Sequence, residues 1–133
     1  MAITGAGPHL MLDCYGCSKN IYNLEYVHEF LAKLPGKIGM HILAPPYAFK
    51  QDKPHDKGIT GVVILEESHV SFHSFMTDYV AIDVYSCKDY DENTVINFVK
   101  ELFGPERIDK NFVHRGKECQ QRILSVPKSR ARQ

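Results

Sequence analysis

The densest run of chemically capable side chains is Glu66-Glu67-Ser68-His69-Val70-Ser71-Phe72-His73, with Asp83-Val84-Tyr85-Ser86-Cys87 further along. From His69 to His73 polar and apolar residues alternate strictly, and a strand turns successive side chains to opposite faces. His69, Ser71 and His73 therefore share one face, with Val70 and Phe72 on the other. Several chemistries fit these residue types. A Ser/His/Asp hydrolase is one, although no G-x-S-x-G elbow is present. A nucleophilic Cys–His pair built from Cys87 and His73 is another. A metal shared by His69 and His73 is disfavoured, because four residues of strand separate them by about 13 Å. The plainest reading keeps all of them as ordinary polar strand residues.

Cys14 and Cys17 form a C-x-x-C pair, the spacing of a redox motif or of half a zinc site. The remaining cysteines, Cys87 and Cys119, stand alone and do not complete a zinc site at close spacing. The pair lies in LDCYGCSKN, a strand running into a turn, and a structural role is expected.

The elements that must position these groups can be read from periodicity. HLMLDCY reads as a first strand, broken by Gly16 and Ser18-Lys19-Asn20. Tyr26, Val27, Phe30, Leu31 and Leu34 recur at helical spacing, and Pro35-Gly36 is expected to end that helix. IGMHIL reads as a second strand that Pro45 and Pro46 stop. Residues 47–58, YAFKQDKPHDKG, read as a mobile surface loop. ITGVVILE, SHVSFHSF and YVAIDVYSC follow as strands. Asp91-Glu92-Asn93-Thr94 opens a second helix with stripe residues Val95, Phe98, Val99 and Leu102, and Gly104-Pro105 closes it. A last strand is expected around residues 108–113. The order β-α-β-β-β-β-α-β predicts an α+β fold, a two-layer sandwich with a mostly antiparallel sheet and both helices on one face.

The 133 residues suit one domain, 44% hydrophobic and 24% charged, which excludes a chain too polar to fold. Residues 1–120 are expected to form it, and 121–133 a basic, disordered tail. Sixteen basic and sixteen acidic side chains balance, so net charge points to neither nucleic acid nor an anionic membrane as partner. No apolar run approaches the ~20 residues of a membrane span, and no basic and apolar leader opens the chain. The expected location is cytoplasmic, with the cysteines as thiols.

Taken together, E-S-H-x-S-x-H followed by D-V-Y-S-C resembles the small prokaryotic S-adenosylmethionine decarboxylases, pyruvoyl enzymes made as proenzymes. GPHLMLDCYGC is similar to that family's opening strand, GITGVVILEESH to its processing-site strand and FVHRG to its closing strand. The likeness spans roughly residues 7–116. It implies cleavage between Glu67 and Ser68 into a β chain of residues 1–67 and an α chain of residues 68–133. Ser68 would become the pyruvoyl group that holds substrate as a Schiff base, an electron sink replacing PLP, with no metal. By the same resemblance His73 assists processing, Thr60 supports it as a hydroxyl residue, and Cys87 returns a proton in catalysis. His69 belongs to the motif without an assigned role. The family commonly continues H-T-W-P-E, where this chain has His73-Ser74-Phe75-Met76-Thr77-Asp78. Phe75 then stands for the aromatic wall and Asp78 for the glutamate, with Phe49 and Val70 as further substrate-binding residues. The implied substrate is the small molecule S-adenosylmethionine, giving the aminopropyl donor for spermidine. The alternative is arginine or ornithine on the same scaffold. Relatives imply a homodimer of processed αβ units.

Overall fold

A computed structural model describes residues 7–118; the basic tail and Cys119 lie outside the described residues. The elements are β1 (Gly7–Tyr15), α1 (Leu24–Lys37), β2 (Ile42–Lys53), β3 (Asp56–Leu65), β4 (Ser68–Phe75), β5 (Tyr79–Ser86), α2 (Glu92–Phe103) and β6 (Arg107–Arg115). A 3₁₀ turn at Lys19–Tyr22 precedes α1. All six strands join one antiparallel sheet in the order β2-β3-β4-β5-β1-β6. The result is the α+β sandwich that the element order predicts.

Alternation decides which sheet face the helices cover. Leu10, Leu12 and Cys14 of β1, Ile59 and Val63 of β3, Val70 and Phe72 of β4, and Val80, Ile82 and Val84 of β5 are all buried on one face. Against them pack Val27, Phe30, Leu31 and Leu34 of α1, with Val95, Phe98, Val99 and Leu102 of α2. Phe30 is the junction: its ring lies 6.2 Å from Phe72, 5.8 Å from Phe98 and 5.6 Å from Phe103. Gly61 lets α1 settle close to β3, since a Cβ there would come within 2.7 Å of Leu31 Cδ1. The helices start where their caps are. Asn23 accepts from Glu25 N–H and Asp91 from Asn93 N–H, each taking one of the backbone donors that a first turn leaves over. Gly104, left-handed at φ 49°, closes α2.

Three boundaries differ from the sequence expectation. Pro45 and Pro46 do not stop β2; the strand passes through them with register shifts between Ile42 and Tyr47. β2 is an edge strand, where a missing N–H costs no ladder bond and a bulge absorbs the ring. Residues 47–58 are accordingly not a mobile loop but the arms of a β2–β3 hairpin turning at Pro54-His55. The exposed charges of Lys50, Asp52 and Lys53 on β2 reflect an edge strand's exposure to water. Helix α1 runs through Pro35 to Lys37, with Ile38 N–H returning to Leu34 and Pro35 carbonyls.

Replacing Phe30 with alanine is expected to destabilise the fold by about 3–5 kcal/mol, because it empties the junction of both helices and β4. Denaturant unfolding of the variant beside the parent chain measures this loss.

Candidate active site

The face of the sheet away from the helices carries the polar residues, and the strand register sorts them into two rows. One row runs Ile64, His69, Tyr85, His9, Val113 across β3, β4, β5, β1 and β6. The other runs Phe49, Thr60, His73, Ala81, Asp13, Asp109 across β2 to β6. Four residues of β4 separate them, about 13 Å.

Ser68 lies at the end nearest the first row, where the chain turns from β3 into β4. Its φ is +152°, a region that residues with a Cβ rarely adopt. The Glu67 carbonyl oxygen just before it accepts Cys87 N–H at 3.0 Å, and Ser68 Oγ lies 3.1 Å from His69 Nδ1. Gly7 permits this crowding: a Cβ there would fall 1.8 Å from Ser86 O and 2.9 Å from Cys87 Cα. Cys87 itself is half-buried.

Glu67 is only 5% exposed and its side chain is clamped. His41 N–H donates to Oε1 at 3.0 Å, and His41 Nδ1 meets Oε2 at 2.9 Å. Lys88 Nζ stands 3.8 Å from Oε2 and donates to Gly39 O at 2.8 Å. Glu66 N–H donates to His41 O at 3.0 Å. Burial opposes the Glu67 charge, but these hydrogen bonds from His41 outweigh it and hold the carboxyl below the usual range. The connector between α1 and β2 thus grips both residues ahead of Ser68.

Around His69 the open face is basic and aromatic. Tyr85 lies 6.0 Å from the His69 ring and 5.4 Å from His9, and the Arg115 guanidinium sits 4.6 Å over Tyr85. His9 Nε2 meets Asp83 Oδ1 at 3.0 Å, and Ser71 Oγ donates to Asp83 Oδ2 at 3.3 Å. Burial, reinforced by the charges of His9 and Arg115 and opposed by Asp83, lowers the His69 pKa.

At the second row Thr60 Oγ1 and His73 Nδ1 are 2.6 Å apart, and the His73 ring stands edge-on to Phe75 at 4.3 Å. Phe75 continues to Tyr79 at 5.3 Å, whose hydroxyl donates to Asp13. Phe49 is exposed and stacked on Tyr47, with centroids 6.2 Å apart. So Phe49, Thr60, His73 and Phe75 gather here, while Glu67, Ser68 and Cys87 gather at the other end. Two residues read as substrate-binding sit elsewhere. Val70 is fully buried among the core residues facing the helices, because its position on β4 has the parity of Phe72. Asp78, left-handed at φ 60°, has its carboxylate taken by Lys19 Nζ and Tyr22 Oη, each at 2.9 Å. Those hydrogen bonds lower its pKa and lock the β4–β5 turn onto the 3₁₀ turn. Cys14 and Cys17 are buried, and burial pushes their thiols up to about 12 and about 11, far from the thiolate that redox exchange requires. His9, His41 and Lys88 carried no local sequence signal, since each reaches the site from a different element.

A family model described as S-adenosylmethionine decarboxylase matches residues 8–116. The chain is similar to the S-adenosylmethionine decarboxylase proenzyme of Clostridium botulinum (strain Langeland), 31% identical over 84% of this chain and 96% of the relative. It is also similar to the proenzyme of the same description from Persephonella marina, 35% identical over 83% of this chain and 82% of the relative. Among solved structures, the adenosylmethionine decarboxylase of Aquifex aeolicus VF5 aligns with a TM-score of 0.71 at 29% identity, over 86% of this chain and 92% of that one.

The depressed Glu67 pKa carries a signed expectation. Its carboxylate stabilises the fold fully above the ordinary glutamate range, and that contribution disappears as pH falls through the lowered folded value. Glu67→Gln should therefore be less stable than the parent at neutral pH, with the gap closing in acid. Urea midpoints for both chains from pH 7 downward test it.

Proposed function

Because the chain belongs to the S-adenosylmethionine decarboxylase family, we propose that it is a self-processing, pyruvoyl-dependent decarboxylase of S-adenosylmethionine. The observation that carries this reading is the linkage between Glu67 and Ser68, strained at φ +152° with its carbonyl polarised by Cys87 N–H. A hydroxyl, a strained backbone and a donor on the carbonyl oxygen are what an acyl shift from nitrogen to oxygen needs. The residues present thus suit formation of the group in place. Elimination from the resulting ester releases Glu67 as a carboxylate and leaves a dehydroalanine. Water then displaces its nitrogen as ammonia, giving a pyruvoyl terminus at position 68. That carbonyl supplies the electron sink for losing CO₂ from an α-amino acid. The half-buried Cys87, beside this terminus, is the proton donor to the substrate carbon.

His73 and Thr60 do not reach Ser68 of their own chain, since five residues of β4 span about 16 Å. A second copy packed face to face on the open sheet resolves this. In a twofold pair, the His73 end of one sheet lies over the Ser68 end of the other. The open face is suited to burial, with Tyr47, Phe49, Val62, Ile64, Phe75 and Val113 all exposed on it. The proposed active unit is a homodimer whose two sites each draw Ser68 and Cys87 from one copy and Thr60, His73 and Phe75 from the other.

Intact mass spectrometry tests the first part. The purified chain should yield fragments 1–67 and 68–133, the second beginning with pyruvoyl. Cyanoborohydride should fix S-adenosylmethionine to that terminus while arginine and ornithine leave it unchanged. A chain that stays whole overturns the reading. Mixing tests the second part: Ser68→Ala and His73→Ala chains, each inactive in cleavage alone, should cleave the His73→Ala chain when co-expressed. No cleavage in the mixture would exclude sharing between copies.

A further inference from the structure

The Ser68 hydroxyl is a poor nucleophile until a base takes its proton, and the partner it has is His69. Ser68 Oγ and His69 Nδ1 are 3.1 Å apart, within the reach expected of a general base. His73 belongs to the far row, about 16 Å along the strand. His41 Nδ1 is occupied by the Glu67 carboxylate. We infer that His69 is the general base for the first step of self-cleavage, acting within its own chain, whereas the His73 contribution comes from the second copy. This rests on the self-cleavage reading above and assigns a catalytic residue within it.

The step balances as follows. His69 carries its proton on Nε2 and presents the Nδ1 lone pair to Ser68. Ser68 Oγ–H passes its proton to Nδ1 while the oxygen attacks the Glu67 carbonyl carbon. The carbonyl electron pair moves onto its oxygen, where Cys87 N–H holds it. Collapse breaks the bond between the Glu67 carbon and the Ser68 nitrogen. That nitrogen leaves with the proton returned by Nδ1, as an amine. A peptide becomes an ester with no atom lost and no oxidant or reductant consumed.

The surroundings favour this role over that of a plain strand residue. Burial, His9 and Arg115 all disfavour a charged His69, which favours the form that accepts a proton. Asp83 opposes them, but its two oxygens are engaged by His9 and Ser71. Tyr85, between His9 and His69, and Ile64, opposite His69 in β3, complete the wall. A neutral imidazole in basic surroundings also returns its proton readily.

The experiment follows cleavage of freshly made wild-type and His69→Ala chains by mass, with and without hydroxylamine and imidazole. Hydroxylamine splits an ester at Glu67 but not a peptide. The variant should cleave at least about 100-fold more slowly. Its uncleaved chain should resist hydroxylamine, and added imidazole should restore cleavage. Because His69 faces away from the core, the variant should keep its unfolding midpoint. Cleavage at the wild-type rate, accumulation of a hydroxylamine-labile ester, or no restoration by imidazole in a folded variant would each overturn the inference. A wild-type chain that never cleaves would instead sink the self-processing reading, so the two failures are distinct.

Discussion

Phe30 packs against Phe72, Phe98 and Phe103, and so joins α1, α2 and β4 at one point. That contact sets the parity of β4. With Phe72 held inward, Val70 and Ser74 must also face the helices, and His69, Ser71 and His73 must face out. A slip of one residue would bury the histidines and expose the phenylalanine. The antiparallel ladder then carries the parity to every other strand. Thr60, Asp13, Asp83, Tyr85 and His9 reach the open face because their strands are in register with β4 through its neighbours.

On that framework one linkage is held under load. Ser68 is in a backbone region that costs of order 1–3 kcal/mol unless its surroundings enforce it. The enforcement comes from both sides. His41 and Lys88 grip the Glu67 carboxylate, and Cys87 N–H grips the Glu67 carbonyl. Gly7 allows β1 to lie against Ser86 and Cys87 without a side chain to push them away. The ladder pairs Ser68 with both Leu65 and Ser86, leaving the linkage little room to relax. Such strain is useful in the proposed cleavage, since opening the linkage releases it.

The separation of the two rows matters as much as their contents. In the proposed cleavage, attack, carbonyl polarisation and proton transfer at Ser68 need groups within a few ångströms, and His69 and Cys87 stand there within one chain. In the proposed homodimer, the aromatic and polar patch of Phe49, Thr60, His73 and Phe75 lies against the surface of the second copy. One face of the sheet is covered by helices and the other bears exposed aromatics, which suits that proposed pairing.

The sequence by itself determined the element order, the antiparallel sandwich, the face shared by His69, Ser71 and His73, and the motif centred on Glu67-Ser68. All of these are local. Alternation and helical periodicity are written within a few residues, and a motif is a contiguous string. It misjudged β2, because prolines and charges that break an inner strand are tolerated on an edge, and position in the sheet is not a local property. It could not place Asp78, whose carboxylate is claimed by Lys19 and Tyr22 across a long loop closure, nor Val70, whose neighbours are helices. Only the tertiary structure decided that His69, rather than His73, touches the Ser68 hydroxyl, and that His41, Lys88 and Gly7 hold the linkage in place. These depend on distances between segments far apart in the chain, and distance along a strand is the quantity a list of residue types omits.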